Sequence, residues 1–171
     1  MIGGIGVSGM DLVRSKLNAE IRKAPKRTKR GLIRFALLVF RDSSLMVPVQ
    51  FGNLRASGFV VWGSGIGAGA SPTFRIEGTS EGISDSKRAT ISRLSSDHQT
   101  VIAQEQGIVK SIDATRNLVS VSVCYSAYYA IYVHERQELH HREGKSWKFL
   151  QKSLNKNLPY ARTMVAGEFP K

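Results

Sequence analysis

The sequence predicts an α+β fold: an antiparallel β-sheet packed against N-terminal helices and a C-terminal helix, with a long inserted β-hairpin or arm. Three patterns carry that expectation. Apolar residues recur at helical spacing through the first part of the chain, a two-residue alternation marks Leu118 to Tyr125, and a helical stripe returns from Trp147 to Leu158. Helices at both ends with strands between them suit helices packed on one sheet, and 171 residues suit a single domain over 1–171.

The helical part is placed at 8–46. Ser8 is positioned to cap the first helix, with Asp11 three residues on and Val7 and Leu12 as a staple. Met10, Val13, Leu17, Ile21 and Ala24 form one apolar stripe. Pro25 predicts a break or kink. A second helical stretch, Lys26 to Leu45, carries Leu32, Ile33, Phe35, Ala36, Leu37, Val39 and Phe40. It is apolar almost all round, so it should be the most buried helix, with more apolar surface than a small domain readily covers. Pro48 and Gly52 then make a turn into the strand Gly58 to Trp62, within a sheet segment 57–63.

Gly63 to Pro72 reads as a flexible segment, and 64–117 as the inserted arm, polar and serine-rich, with β-like patches at Thr100–Ala103 and Ile108–Ile112. In Leu118–Tyr125 one face holds Leu118, Ser120, Ser122 and Cys124, the other Val119, Val121, Val123 and Tyr125. Tyr128 to Val133 is expected to continue it, giving a second sheet segment, 118–133. The last helix is placed at 144–158, after Gly144, with Trp147, Leu150, Leu154 and Leu158 as its stripe and Pro159 as its stop. Tyr160 to Lys171 shows no strong pattern, and no internal repeat is visible.

Composition narrows the function. An apolar fraction of 42% with 22% charged residues belongs to a folded protein rather than a disordered one. No run approaches a membrane span: Phe35 to Phe40, for one, is closed by Arg34 and Arg41. Met1 to Gly6 does not read as a secretion signal, and the single cysteine, Cys124, fits a reducing compartment. The net charge is +12, and part of it is concentrated in Arg22, Lys23, Lys26, Arg27, Lys29 and Arg30. Such charge favours DNA or an acidic protein surface; the plainer alternative is a solvated helical face.

Catalytic and cofactor motifs fail on context. Gly65-Ile66-Gly67-Ala68-Gly69-Ala70 touches a dinucleotide fingerprint, but Ser71-Pro72-Thr73-Phe74 follows where a helix N-terminus is required. His134, His140 and His141 with Glu135, Glu138 and Glu143 lack the two-histidine spacing that puts zinc ligands on one helical face, so a polar loop is the better reading. A metal-dependent enzyme built on these histidines stays as a third class. Cys124 has no nucleophile signature around it, and the 13 carboxylates are scattered. No catalytic residue, metal or cofactor is expected. Trp147 is expected in the core, whereas Tyr125, Tyr128, Tyr129 and Tyr132 cluster as aromatics do where a surface is covered by a partner.

Three segments, in order, resemble the tail-completion and head–tail joining (neck) proteins of tailed bacteriophages. They are Pro48-Val49-Gln50-Phe51-Gly52-Asn53-Leu54-Arg55-Ala56-Ser57, Tyr129-Ala130-Ile131-Tyr132-Val133-His134-Glu135 and Lys148-Phe149-Leu150, together 20 of the 171 residues. Gln50-Phe51 departs from the family's usual Asp-Thr, and the glycine common after the second motif is missing. The resemblance implies a non-enzymatic virion protein, made in the host bacterial cytoplasm. It implies a homo-oligomeric ring, expected to hold six copies, joining connector to tail around the DNA channel. Partners would be the neighbouring neck, connector and tail-tube proteins, with no membrane. Expected interface residues are Tyr125, Tyr128, Tyr129, Tyr132, Phe51, Leu54 and Arg55. Arg22 to Arg30 are the expected contact with channel DNA or an acidic partner; the alternative is a basic DNA-binding module using the same cations.

Overall fold

The computed structural model describes residues 10–48, 53–70, 72–74, 85–116, 118–137 and 145–169. Ser8 and its staple partner Val7, the turn residues 49–52 with Phe51, His140, His141 and Gly144 lie outside them. The order is α1 (Met10–Met46), α2 (Asn53–Ala56), β1 (Gly58–Trp62), β2 (Gly65–Ala68), α3 (Asp85–Arg116), β3 (Val121–Tyr125), α4 (Ala130–Glu135) and α5 (Phe149–Ala166). The architecture is α+β.

The described strands form one antiparallel sheet in the order β2-β1-β3. β1 pairs with β3 from Gly58↔Tyr125 to Trp62↔Val121. It pairs with β2 through Trp62↔Gly65, Val61↔Ile66 and Val60↔Ala68, with an irregularity between Val60 and Val61. The central strand shows no polar alternation because both of its faces are covered. Phe59 and Val61 meet Ile102 of α3, flanked by Ile66, Val101 and Cys124. Val60 points the other way, toward the layer of α1 and α5, which pack along each other. A second cluster at the α5 end of that layer joins Val47, Leu54 and Phe149, with Tyr125 and Tyr129 against it.

Five sequence expectations are corrected. Pro25 does not break the first helix: α1 is one helix of 37 residues that contains it. A proline frees the carbonyl four residues earlier, that of Ile21, and this stretch is exposed, so water can take that carbonyl without ending the helix. The inserted arm is not a hairpin over its length, since 85–116 is a 32-residue helix that includes both β-like patches. Nor is the glycine run all loop, because Gly65–Ala68 is β2. The Trp62 indole lies across that strand, and a Cβ on Gly65 or Gly67 would stand 2.9 or 2.8 Å from it.

Tyr128 to Val133 does not extend the sheet either. The chain turns at Tyr128–Tyr129 and enters α4. β1 begins at Gly58, opposite Tyr125, so residues past Tyr125 have no strand to pair with. The last helix runs on through Pro159 to Ala166, and its buried residues are Phe149, Ser153 and Asn157, one position before the expected stripe. Leu154 and Leu158 are left exposed. Small and polar residues on the buried line let α5 approach α1 closely, most of all at Gly31, where a Cβ would stand 2.5 Å from the Val165 Cα.

Candidate functional site

The described side chains form three surfaces and two buried polar knots. The first surface is an aromatic ledge. Tyr128 is 89% exposed and Ile131 72%, with Tyr132 beside them. Tyr128 and Tyr129 meet edge to face at 5.2 Å, and the Arg136 guanidinium lies 4.0 Å over the Tyr132 ring. Burial lifts the Tyr129 hydroxyl above the ordinary phenol value, with Tyr128 adding to it. The ledge borders a cleft of about 490 Å³ lined by Asn53, Phe74, His98, Ser126 and Tyr129 among others.

Not all of the expected interface residues reach this surface. Tyr125 is turned inward: its ring packs on Phe149 at 5.2 Å and Phe40 at 6.4 Å. Its hydroxyl shares a 2.7 Å hydrogen bond with Ser43 Oγ, and burial pushes it up to about 12. Leu54 is core. Arg55 is exposed, while Phe51 lies outside the described residues. Trp147 is half-buried just ahead of α5, with the Lys148 and Lys152 ammonium groups 5.2 and 4.9 Å from its ring.

The second surface is an apolar groove of about 440 Å³. Leu32, Phe35, Ala36 and Val39 of α1 form its floor, Val121 and Val123 of β3 one wall, and Leu150 and Leu154 of α5 the other. The third is cationic. At about 100° per residue, Arg22, Lys23, Lys26, Arg27, Lys29 and Arg30 spread over about 160° of α1. Several are engaged. Glu20 takes Lys23 at 3.0 Å and Arg27 at 2.6 Å, and those two contacts hold its carboxyl below the usual range. Arg30 and Arg34 both reach Glu168, and Lys29 donates to Ser64 Oγ at 3.1 Å. Arg22 and Lys26 stand in solvent.

One buried knot, at His98, has no counterpart among the sequence expectations. His98 is 1% exposed, with Phe59 and Phe74 edge-on at 5.5 and 5.8 Å. Its Nε2 is 2.6 Å from the Gly69 carbonyl, which can only accept, so Nε2 carries a proton. In the neutral ring Nδ1 then accepts from Ser126 Oγ at 2.6 Å. A hydroxyl on an imidazole is half of a nucleophile–base arrangement. Here both ring nitrogens are occupied and the ring, although it borders the cleft, is almost wholly covered, so the pair acts as a bolt joining α3 to the chain after β2 and after β3. The signal that could have found it is the line Leu94, His98, Val101, Glu105, Val109, spaced by three and four, in which His98 and Glu105 take apolar places.

The other knot ties α1 to α5. Asp42 is buried and takes Lys156 Nζ at 2.8 Å and Asn157 Nδ2 at 3.1 Å on one oxygen. Ser153 Oγ donates to the Val39 carbonyl at 2.6 Å. Cys124 sits under α3, where burial and then Glu105 push its thiol up to about 12, far from a reactive thiolate.

The described residues contain no group of three or more potential metal ligands. His134, the one histidine of the expected trio that is described, faces Glu135 at 2.6 Å and stands edge-on to Phe149. No described helix is long and apolar enough to cross a membrane. Compared with protein-family models, curated proteins and solved structures, the chain matches none.

Proposed function

We propose that the chain is a ring-forming structural subunit of a tailed-phage particle, acting at the head–tail junction as a neck, tail-completion or tail-terminator protein. The observation that carries this reading is the ledge. The second of the three family-like segments, Tyr129 to Glu135, lies on a short helix that holds Ile131 and Tyr132 toward solvent. Ile131 and Tyr132, turned outward on a six-residue helix, add little to their own subunit's core, and a neighbouring subunit is the partner that covers them. A contact between two different surfaces of one subunit closes into a ring when the rotation per copy divides a full turn.

The test is imaging of purified particles carrying a tagged chain. Tag density in a ring at the junction is the expected result. A chain missing from particles, or found in single copies elsewhere on them, overturns the proposal.

A second reading, a DNA-binding module, is favoured by the spread of six cations over one broad side of α1. A salt titration of duplex binding tests it, because affinity falls as a power of the salt concentration that grows with the number of phosphates neutralised. Absence of binding at about 50 mM salt removes it.

A further inference from the structure

The stretch of α1 from Arg14 to Lys26 extends past the other described elements. Val165, near the end of α5, packs at Gly31, and from Arg14 to Lys26 every residue but Ala24 is exposed. This overhang is about 20 Å of lone helix. Its apolar stripe faces solvent, with Leu17 57% and Ile21 59% exposed. A lone helix of this length is marginal in water unless its apolar stripe is covered.

The same face of α1 continues without a break into the floor of the apolar groove. At about 100° per residue, Leu17, Ile21, Ala24, Thr28, Leu32, Phe35 and Val39 all fall within about 40° of one line. Their spacings are 4, 3, 4, 4, 3 and 4, which read the same in both directions from Thr28. The line is therefore self-complementary under a two-fold axis.

We infer that two copies of this chain pair antiparallel along this face of α1, about an axis at Thr28. The pairing seats the overhang of each copy in the groove of the other. Ile21 meets the partner's Phe35, Ala24 the partner's Leu32, and Leu17 comes over the floor at the partner's Val39. Each open groove and each bare stripe is thus covered by one contact, made twice. The parts of each body that reach back as far as the axis, Ser64 at Lys29 and Phe169 at Arg27, meet α1 about 100° to either side of the line and so leave the line itself open.

The charge pattern agrees with this occupant. No residue of the line is charged, and Arg22, Lys23, Lys26 and Arg30 lie on the opposite side of the helix. Arg14 flanks the end of the line. A strip from Leu17 to Val39 is about 33 Å long and about 10 Å wide, about 330 Å² per partner, below the size of a standard stable interface, so the dimer is weak and forms only at high concentration. Two bodies each carrying +12 repel, so pairing tightens as salt screens them. The inference goes beyond the neck proposal and does not rest on it: it uses α1 and the groove, not the ledge.

Sedimentation of the full chain from about 1 to 200 μM reads the outcome. The average mass should climb toward twice the 18.9 kDa of one chain. Leu17→Glu and Ile21→Glu, at exposed sites where folding is not at stake, should weaken pairing at least tenfold. Thr28→Cys should form an interchain disulfide on oxidation, whereas Lys26→Cys, on the far side, should not. A chain that stays monomeric throughout overturns the inference. So does an oligomer that ignores both glutamates, or one in which Lys26→Cys links and Thr28→Cys does not.

Discussion

Lys156 Nζ stands 2.8 Å from Asp42 Oδ2, so an exposed cation on α5 anchors a carboxylate buried on α1. Asn157 adds a second donor to the same oxygen, and the Arg41 guanidinium reaches the other at 3.3 Å. A buried carboxylate is tolerated only with such partners. Here they fix the register of the two longest-packed helices, and with it the groove between them.

The Asp42 pair gives stability an acid limb. The Lys156 and Asn157 hydrogen bonds lower the Asp42 pKa from 3.8 to about 2. The folded value lies below the unfolded one, so the contribution is fully present above about pH 4 and is lost as pH falls through about 2. Its size is about 2 kcal/mol. Urea unfolding at pH 7, 4 and 2.5 should show wild type losing this increment at the acid end. Asp42→Asn should start about 1–3 kcal/mol lower at pH 7 and be flatter below pH 4. Parallel curves for the two proteins across that window would refute the linkage.

His98 should be worth more to the fold than any exposed aromatic. His98→Ala removes a buried ring and leaves the Gly69 carbonyl without its donor, at a cost of about 3–5 kcal/mol. Ser126→Ala strips one hydrogen bond from Nδ1 and should cost about 1–2 kcal/mol. Chemical denaturation measures both. A His98→Ala protein as stable as wild type would mean that the ring bolts nothing.

How far the sequence could be read depended on how many side chains each element buries. β1 was legible to the residue, because Phe59, Val60 and Val61 have both faces covered and form a short run bounded by Gly58 and Gly63. The second half of α1 was legible for the same reason. α3 was hidden: of its 32 residues only His98, Ile102 and Val109 are fully buried, and the histidine interrupts an apolar count. α4 was misread because tyrosine and isoleucine favour strands, whereas the absence of a pairing strand beyond Gly58 is a tertiary fact. Of the site, the tyrosine cluster was visible but its division into inward Tyr125 and outward Tyr128 was not, since that division depends on where β3 ends. The groove was foreshadowed only by the excess apolar surface of α1.

Gly31→Ala decides between two opposing effects. In an isolated helix the change stabilises by about 1 kcal/mol, since glycine is the poorer helix former. In this protein the new Cβ would stand 2.5 Å from the Val165 Cα and 3.0 Å from the Met164 carbonyl oxygen. Both are backbone atoms that cannot swing aside, so α5 must move. The expected net result is a loss of about 1–3 kcal/mol by denaturant titration. A gain in stability would show that the two helices do not approach this closely.

Tyr128→Ser combined with Ile131→Ser separates stability from assembly. The wild-type side chains are 89% and 72% exposed, so the subunit gains little from them, and the double variant should unfold within about 0.5 kcal/mol of wild type. If the ledge is a subunit contact, the same variant should fail to enter particles, or enter them in much lower copy number, because aromatic residues at the centre of a contact carry most of its energy. Ser44→Ala, a change elsewhere on α1 that removes a hydroxyl donating to the Arg41 carbonyl of its own helix, serves as the control. Particles that incorporate the double variant as well as they incorporate the control would take the ledge out of the ring contact.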